Sequence, residues 1–277
     1  MTSPAIEALY LGEGIGRLFC LLHHPPSGRR PKGSVVYLHP FAEEMNKSRR
    51  MAALQARALA EAGWMVLQPD MRGCGDSAGE FGAATWQAWV DDAARLSDWL
   101  TERSGMRPVL WGLRAGCLLA AAVAERRADP CDLLFWQPVM AGKQHLQQFL
   151  RLKVAGAMLG EGRQAGEGTR GLRDRLQAGE AVEVAGYMLG PGLALGLDAA
   201  ILAPSAGGGR LKWLEVSAAA APEIPPGSRQ SIAAWQAAGW QVEVKMVAGS
   251  AFWQTQEIEV VPELIAESSA MLVGAEQ

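Results

Sequence analysis

The chain has 277 residues, 49% of them hydrophobic and 20% charged, with a net charge of −3. That composition excludes a disordered polyelectrolyte, and the slightly acidic balance argues against nucleic acid as the main partner. Cys20, Cys74, Cys117 and Cys131 show no paired short spacing, so they read as reduced thiols of a cytoplasmic protein, with no metal site expected.

Residues 1–10 hold Glu7 and no basic stretch, so no signal peptide is expected. The apolar pattern then predicts an opening hairpin, 6–11 with 17–22, across Gly12-Glu13-Gly14. Residues 34–39 form a buried strand between Gly33 and Pro40. Asn46 is the expected cap of a helix running to Glu61 and closed by Gly63. A strand follows at 64–69, and Thr85 caps a helix through Arg103, with Trp86, Trp89, Val90, Ala93, Leu96 and Leu100 at helical spacing. Next come a strand at 108–112, a helix at 115–128 and a strand at 133–136. Two strand–helix units close the chain: 211–216 with 228–238, and 241–247 with 258–273.

Strand and helix thus alternate, which predicts an α/β fold: a doubly wound, mostly parallel sheet covered on both faces. The alternation breaks at residues 140–202, read as a helical lid or cap insertion into a core made of 1–139 and 203–277. Within it, 144–159 is a basic amphipathic helix, with Leu146, Phe149, Leu150, Leu152, Val154, Met158 and Leu159 against Arg151 and Lys153. This helix is expected to cover a pocket or to dock a protein partner. His145, with Lys143 and Arg151, is assigned to its solvated face. The longest apolar run, 115–124, is too short to cross a bilayer.

The most informative stretch is Gly112-Leu113-Arg114-Ala115-Gly116. It falls where a strand turns into a helix, in a Gly-x-X-x-Gly frame that presents its central side chain on a tight turn, as nucleophile elbows do. Here the central residue is arginine, whose guanidinium stays protonated and has no lone pair to attack a carbonyl.

Four motifs together make the chain resemble the α/β-hydrolase superfamily. They are Tyr37-Leu38-His39-Pro40-Phe41, Asp70-Met71-Arg72-Gly73-Cys74-Gly75-Asp76-Ser77, the elbow, and the proline-bounded loop Pro222-Glu223-Ile224-Pro225-Pro226. At a finer level it resembles the exosortase A system-associated hydrolases of the second type, bacterial proteins encoded beside extracellular polysaccharide and protein-sorting loci. The segments that carry this are Trp111-Gly112-Leu113-Arg114, Phe135-Trp136-Gln137-Pro138-Val139 with Gly142-Lys143, Val184-Ala185-Gly186-Tyr187 and Gly249-Ser250-Ala251-Phe252-Trp253.

The superfamily resemblance implies a triad in the order nucleophile, acid, histidine. Its three places fall on Arg114, Ala221 and Phe252, none of which does the required chemistry. Only His23, His24, His39 and His145 occur in the chain, so no imidazole follows the insertion. The conventional mechanism therefore loses its base as well as its nucleophile.

The resemblance also implies that the backbone N–H groups of Ala115 and Phe41 would form an oxyanion hole, with His39 holding that loop. Together with Arg114 and Trp253 these make a candidate site for an acyl or anionic small molecule. The competing reading has Arg114 paired with Asp70, Glu43 or Glu44 and filling a closed pocket. No cofactor is implied. Three functions stay open: a non-catalytic binding or partner protein of an exosortase or extracellular polysaccharide system; an ester or thioester hydrolase or acyltransferase with a relocated nucleophile, Cys74 and Cys117 being the thiols in question; and a purely structural subunit.

Overall fold

The strand Ser34–Leu38 (β3) is apolar on both faces and fully buried, as a strand inside a parallel sheet must be. Around it the computed structural model, which describes residues 5–26, 30–127, 129–159 and 168–274, builds an eight-stranded sheet. Its other strands are Ile6–Leu11 (β1), Leu18–His23 (β2), Met65–Pro69 (β4), Val109–Leu113 (β5), Leu133–Trp136 (β6), Arg210–Ser217 (β9) and Gln241–Ala248 (β10). The order is β1-β2-β4-β3-β5-β6-β9-β10. The β1–β2 and β2–β4 pairs are antiparallel and every other pair is parallel.

Helices α1 (Glu43–Glu61), α2 (Trp86–Ser104), α3 (Ala115–Glu125), α7 (Pro226–Ala237) and α8 (Pro262–Val273) cover the two faces. Their apolar sides close two cores, one built on Leu38, Trp89 and Phe135, the other on Trp111, Trp136 and Phe252. This is the expected doubly wound α/β-hydrolase architecture. The chain passes from β3 outward to β4 and then returns to the other side of β3 as β5. Such a reversal opens a crevice at the carboxyl ends of β3 and β5, where open α/β sheets bind ligands.

Local chemistry explains most boundaries. Thr85 caps α2, its Oγ1 accepting from Ala88 N at 3.0 Å, and Gly105 ends that helix at φ 75°. The expected start of α1 needs correction. The helix begins at Glu43, and Asn46 lies inside it with its amide donating to Tyr187 Oη at 3.0 Å. The start is set by backbone instead: Ala42 turns the chain with φ 51° and ψ −125°. Helix α3 ends at Glu125, before the expected residue 128, and α8 begins at Pro262 rather than 258, since proline suits the first helical position.

Between β6 and β9 lie α4 (Gly142–Leu159), α5 (Thr169–Gln177), a hairpin of β7 (Val182–Val184) and β8 (Tyr187–Leu189), and α6 (Pro191–Ala199). Helix α5 is a helix of the insertion beyond the one predicted at 144–159. The two ends of this segment zip together: Ala141 bridges Ile201, and Leu202 N donates to Met140 O at 2.9 Å. The side chains of Met158 and Leu159, assigned above to the apolar face of α4, lie outside the described residues. Among the described residues no helix is long and apolar enough to cross a membrane.

Candidate functional site at the elbow

Arg114 joins β5 to α3 with φ 55° and ψ −119°, a region that side-chain-bearing residues occupy only under constraint. The flanking glycines supply the constraint. A Cβ on Gly116 would stand 2.0 Å from the carbonyl oxygen of Leu38, and one on Gly112 would stand 2.6 Å from the backbone of Cys117. Arg114 N donates to Trp136 O at 3.0 Å, and Cys117 N donates to Arg114 O at 3.0 Å. The sharp strand-to-helix turn read from the motif is therefore present, with arginine at its tip.

The guanidinium turns toward α1. Its Nε–H donates to Glu44 Oε1 at 3.2 Å, and its carbon sits 5.4 Å from the centroid of the Trp253 ring. Both charged side chains are deeply set, 13% and 9% exposed. Of the three carboxylates offered as partners in the sequence, Glu44 is the one used. Asp70 is engaged elsewhere: it meets Arg49 at 3.0 Å and accepts from Asp76 N at 3.0 Å. The Asp70–Ser77 turn holds itself together, with Ser77 Oγ donating to Asp70 O at 2.5 Å and accepting from Phe19 N at 2.9 Å.

His145 overturns its expected placement. It is 5% exposed, and its Nε2 lies 3.8 Å from Glu44 Oε2. The reason is helical phase: His145 stands one turn before Phe149 and beside Leu146, both buried on the face of α4 that packs onto the core. Burial, reinforced by the Arg114 charge, pushes its pKa down to about 3, so it is neutral at physiological pH. Glu44 moves the other way, since burial raises its carboxyl to about 7 even though Arg114 pulls it down.

A cavity of about 270 Å³ opens beside this cluster, lined by Phe41, Glu43, Glu44, Lys47, His145, Phe149 and Trp253 among others. Of the sequence-named candidates, Phe41 and Trp253 line it, whereas Arg114 and Ala115 do not, and His39 lines a separate cavity with Met45, Arg49 and Asp70. His39 has both ring nitrogens committed. Nε2 accepts from Met71 N at 3.1 Å, which leaves the proton on Nδ1, donated to Pro40 O at 2.8 Å. It clamps the loop after β3 to the turn after β4. Phe252 is fully buried and packs edge-on to Trp136 at 6.3 Å. Ala221 and Glu223 are exposed in the loop after β9.

The thiols are closed off as well. Cys117 is fully buried, and burial raises its pKa well above the ordinary value. Burial and the nearby Asp70 charge push Cys74 up to about 12. Neither forms the thiolate that a cysteine nucleophile needs. Among the described residues no group of three or more His, Cys, Asp or Glu is placed to hold a metal ion.

The sheet order, the switch-point crevice and the elbow define a protein of the α/β-hydrolase fold. More narrowly, the chain belongs to the serine aminopeptidase S33 family, whose pattern matches residues 29–170. Over 104 residues it is 36% identical to human protein ABHD12B, a match spanning 36% of this chain and 27% of that protein. The chain thus matches about a quarter of the length of that relative.

Among solved structures it resembles Est1E from Butyrivibrio proteoclasticus, with 12% identity, TM-score 0.65 and 96% and 98% of the two chains covered. A thermostable carboxyl esterase from Bacillus coagulans, in complex with glycerol, gives 13% identity and TM-score 0.61 over 98% of each chain. The α/β serine hydrolase XC6422 from Xanthomonas campestris, described as lacking a lid, gives 17% identity and TM-score 0.52 over 99% and 94%. At these identities the likeness shows the fold alone.

Proposed function

We propose that this chain is a catalytically silent α/β hydrolase, a pseudoenzyme that keeps the crevice of its fold as a binding site for a small molecule. The observation that carries the proposal is Arg114 in the elbow. The position that should offer an attacking hydroxyl holds a permanent cation, tied to Glu44 and packed on Trp253. Phe252 seals the place where a catalytic imidazole would follow the last strand, and His145 reaches the site with no serine or cysteine among the charged and aromatic partners named above. Residues 140–202 act as the lid on this reading, with Phe149 edge-on to Phe41 at 5.1 Å over the cavity.

The relatives' names frame the test. A family of serine aminopeptidases and a set of esterases share the scaffold, so purified protein should be offered amino-acid arylamides, short-chain esters and thioesters, and a fluorophosphonate probe. The expected result is no labelling and no turnover above buffer. Turnover abolished by Cys74→Ala, Cys117→Ala or Ser250→Ala would overturn the proposal in favour of a relocated nucleophile. The finer resemblance, to exosortase A system-associated hydrolases, assigns the binding role to an extracellular polysaccharide and protein-sorting system. Co-purification from a native host, with components of that system recovered only when the chain is present, tests that assignment.

A further inference from the structure

The wall of the cavity is incompletely satisfied. Glu43 Oε2, Glu44 Oε2, His145 Nδ1 and Trp253 Nε1 are buried and have no hydrogen-bond partner among the described residues. All four side chains line the same cavity. Glu44, His145 and Trp253 are more than nine-tenths buried. Each orphaned group has given up its hydration without gaining a hydrogen bond, at greater cost where it is charged. Native proteins tolerate few such groups, and four around one opening mark a place where a missing partner belongs.

Charge decides what that partner is. Of the two cations at the site, Arg114 is paired with Glu44 Oε1, while the partly exposed Lys47 spends one N–H on the carbonyl of Gln254 at 3.1 Å. The two carboxylates each keep a free oxygen. An anion would meet both of them, with the indole N–H of Trp253 as its one buried unpartnered donor of fixed identity. A protonated amine meets two acceptors that lack donors, beside the aromatic side chains of Phe41, Phe149 and Trp253.

On the reading that this cavity is a binding site, we propose that its occupant is a primary ammonium compound with a small apolar body. The ammonium sits between the Glu43 and Glu44 carboxylates and the body rests on Phe41, Phe149 and Trp253. The size of the cavity, about 270 Å³, is at the small end for ligand pockets and sets the scale of that body.

The proton balance agrees with this placement. Burial raises both carboxyls from their ordinary values, Glu44 to about 7. The groups facing Glu44 are Arg114 from the elbow, His145 from α4, and Glu43 and Lys47 from α1. His145 stays neutral throughout the physiological range. An incoming ammonium takes over the role of the proton on Glu44, so binding near pH 7 releases protons to solvent.

The test is calorimetric titration with three near-isosteric probes: 2-phenylethylammonium, 2-phenylethanol and phenylacetate. It is run at pH 7 in two buffers of different ionisation enthalpy, and again at pH 8.5. The ammonium should bind about tenfold or more tighter than either comparison probe. Its proton release at pH 7 should disappear at pH 8.5, where Glu44 is already ionised. Glu43→Gln and Glu44→Gln should each weaken it by about tenfold. Should Glu44→Gln fail to fold, the half-buried Glu43→Gln and the probe comparison decide.

Equal or tighter binding of the alcohol or the carboxylate overturns the proposal, and so does failure of the ammonium to bind. Affinity indifferent to both substitutions does the same. A win for the neutral or anionic probe removes the amine class and leaves the binding role standing. Ester or amide turnover would remove the non-catalytic reading and leave the occupant's charge untouched.

Discussion

Replacing Glu44 by glutamine should change how stability depends on pH between about pH 4.5 and pH 7. The carboxyl is buried against Arg114 and His145, and burial raises it from 4.5 to about 7 in the folded chain. The unfolded chain releases this proton near pH 4.5, whereas the fold holds it to about pH 7. Between those values the folded state binds more protons, so stability falls as pH rises, and the loss is complete above pH 7. The full loss is about 3 kcal/mol.

Glutamine does not titrate, and its amide oxygen still accepts from the Nε–H of Arg114. His145 works in the opposite sense. Its folded value is about 3, so it loses stability as pH drops from 6.5 toward 3. It is present in both proteins and cancels from the difference between them. The stability of Glu44→Gln relative to the parent should therefore rise by about 3 kcal/mol between pH 4.5 and pH 8. Urea unfolding followed by tryptophan fluorescence at both pH values measures this. Parallel behaviour, with the difference constant to within about 1 kcal/mol, would refute the placement of Glu44 as a buried carboxyl under proton control.

Arg114→Ser should leave ester hydrolysis at buffer background in a p-nitrophenyl acetate assay, because no histidine follows His145 in the chain to serve as its base. The same variant should lose about 3 kcal/mol of stability at pH 8, where Glu44 is left charged and unpaired, and less at pH 5. Gly116→Ala should lower the urea midpoint by the equivalent of about 3 kcal/mol, since its Cβ would stand 2.0 Å from Leu38 O. Gly227→Ala, where an added Cβ meets nothing, should change stability by less than about 1 kcal/mol, in the stabilising direction. A thiol reagent at pH 8 should label none of the four cysteines in the folded protein and all four in denaturant, since each is buried and each thiol is pushed up.

The fold was legible because its signals are local and repeated. Buried runs such as 34–38 and 133–136 mark parallel strands, Thr85 and Gly105 bracket α2, and paired glycines frame the elbow. Glu44 was legible as one of three carboxylates able to meet Arg114, but the choice among them was not. That choice depends on Arg49, which claims Asp70 from a position 21 residues earlier in the chain. His145 was misplaced because Lys143 and Arg151 suggested a polar stripe, while the phase shared with Leu146 and Phe149 carried the correct answer. The start of α1 was missed because it rests on the backbone of Ala42, and no residue type announces that conformation.

Ala42 and Arg114 share one unusual geometry: φ 51° and ψ −125° at the first, φ 55° and ψ −119° at the second. Each opens the helix that follows one of two neighbouring parallel strands, β3 and β5. A side-chain-bearing residue held there costs about 1–3 kcal/mol, so the surroundings must impose it. At Arg114 they do so through Gly112, Gly116, the Leu38 carbonyl and the Trp136 carbonyl, and none of these needs a hydroxyl at the tip. The elbow is therefore a property of how β5 passes into α3, and it persists without a nucleophile. The side chain at the tip is still not free to vary, because it projects toward Glu44 and Trp253. Serine there would leave Glu44 buried without its cation, and an apolar residue at 44 would leave Arg114 buried without its anion. Arg114 and Glu44 thus depend on each other, and the combined Arg114→Ser and Glu44→Gln variant should be more stable at pH 8 than Arg114→Ser alone.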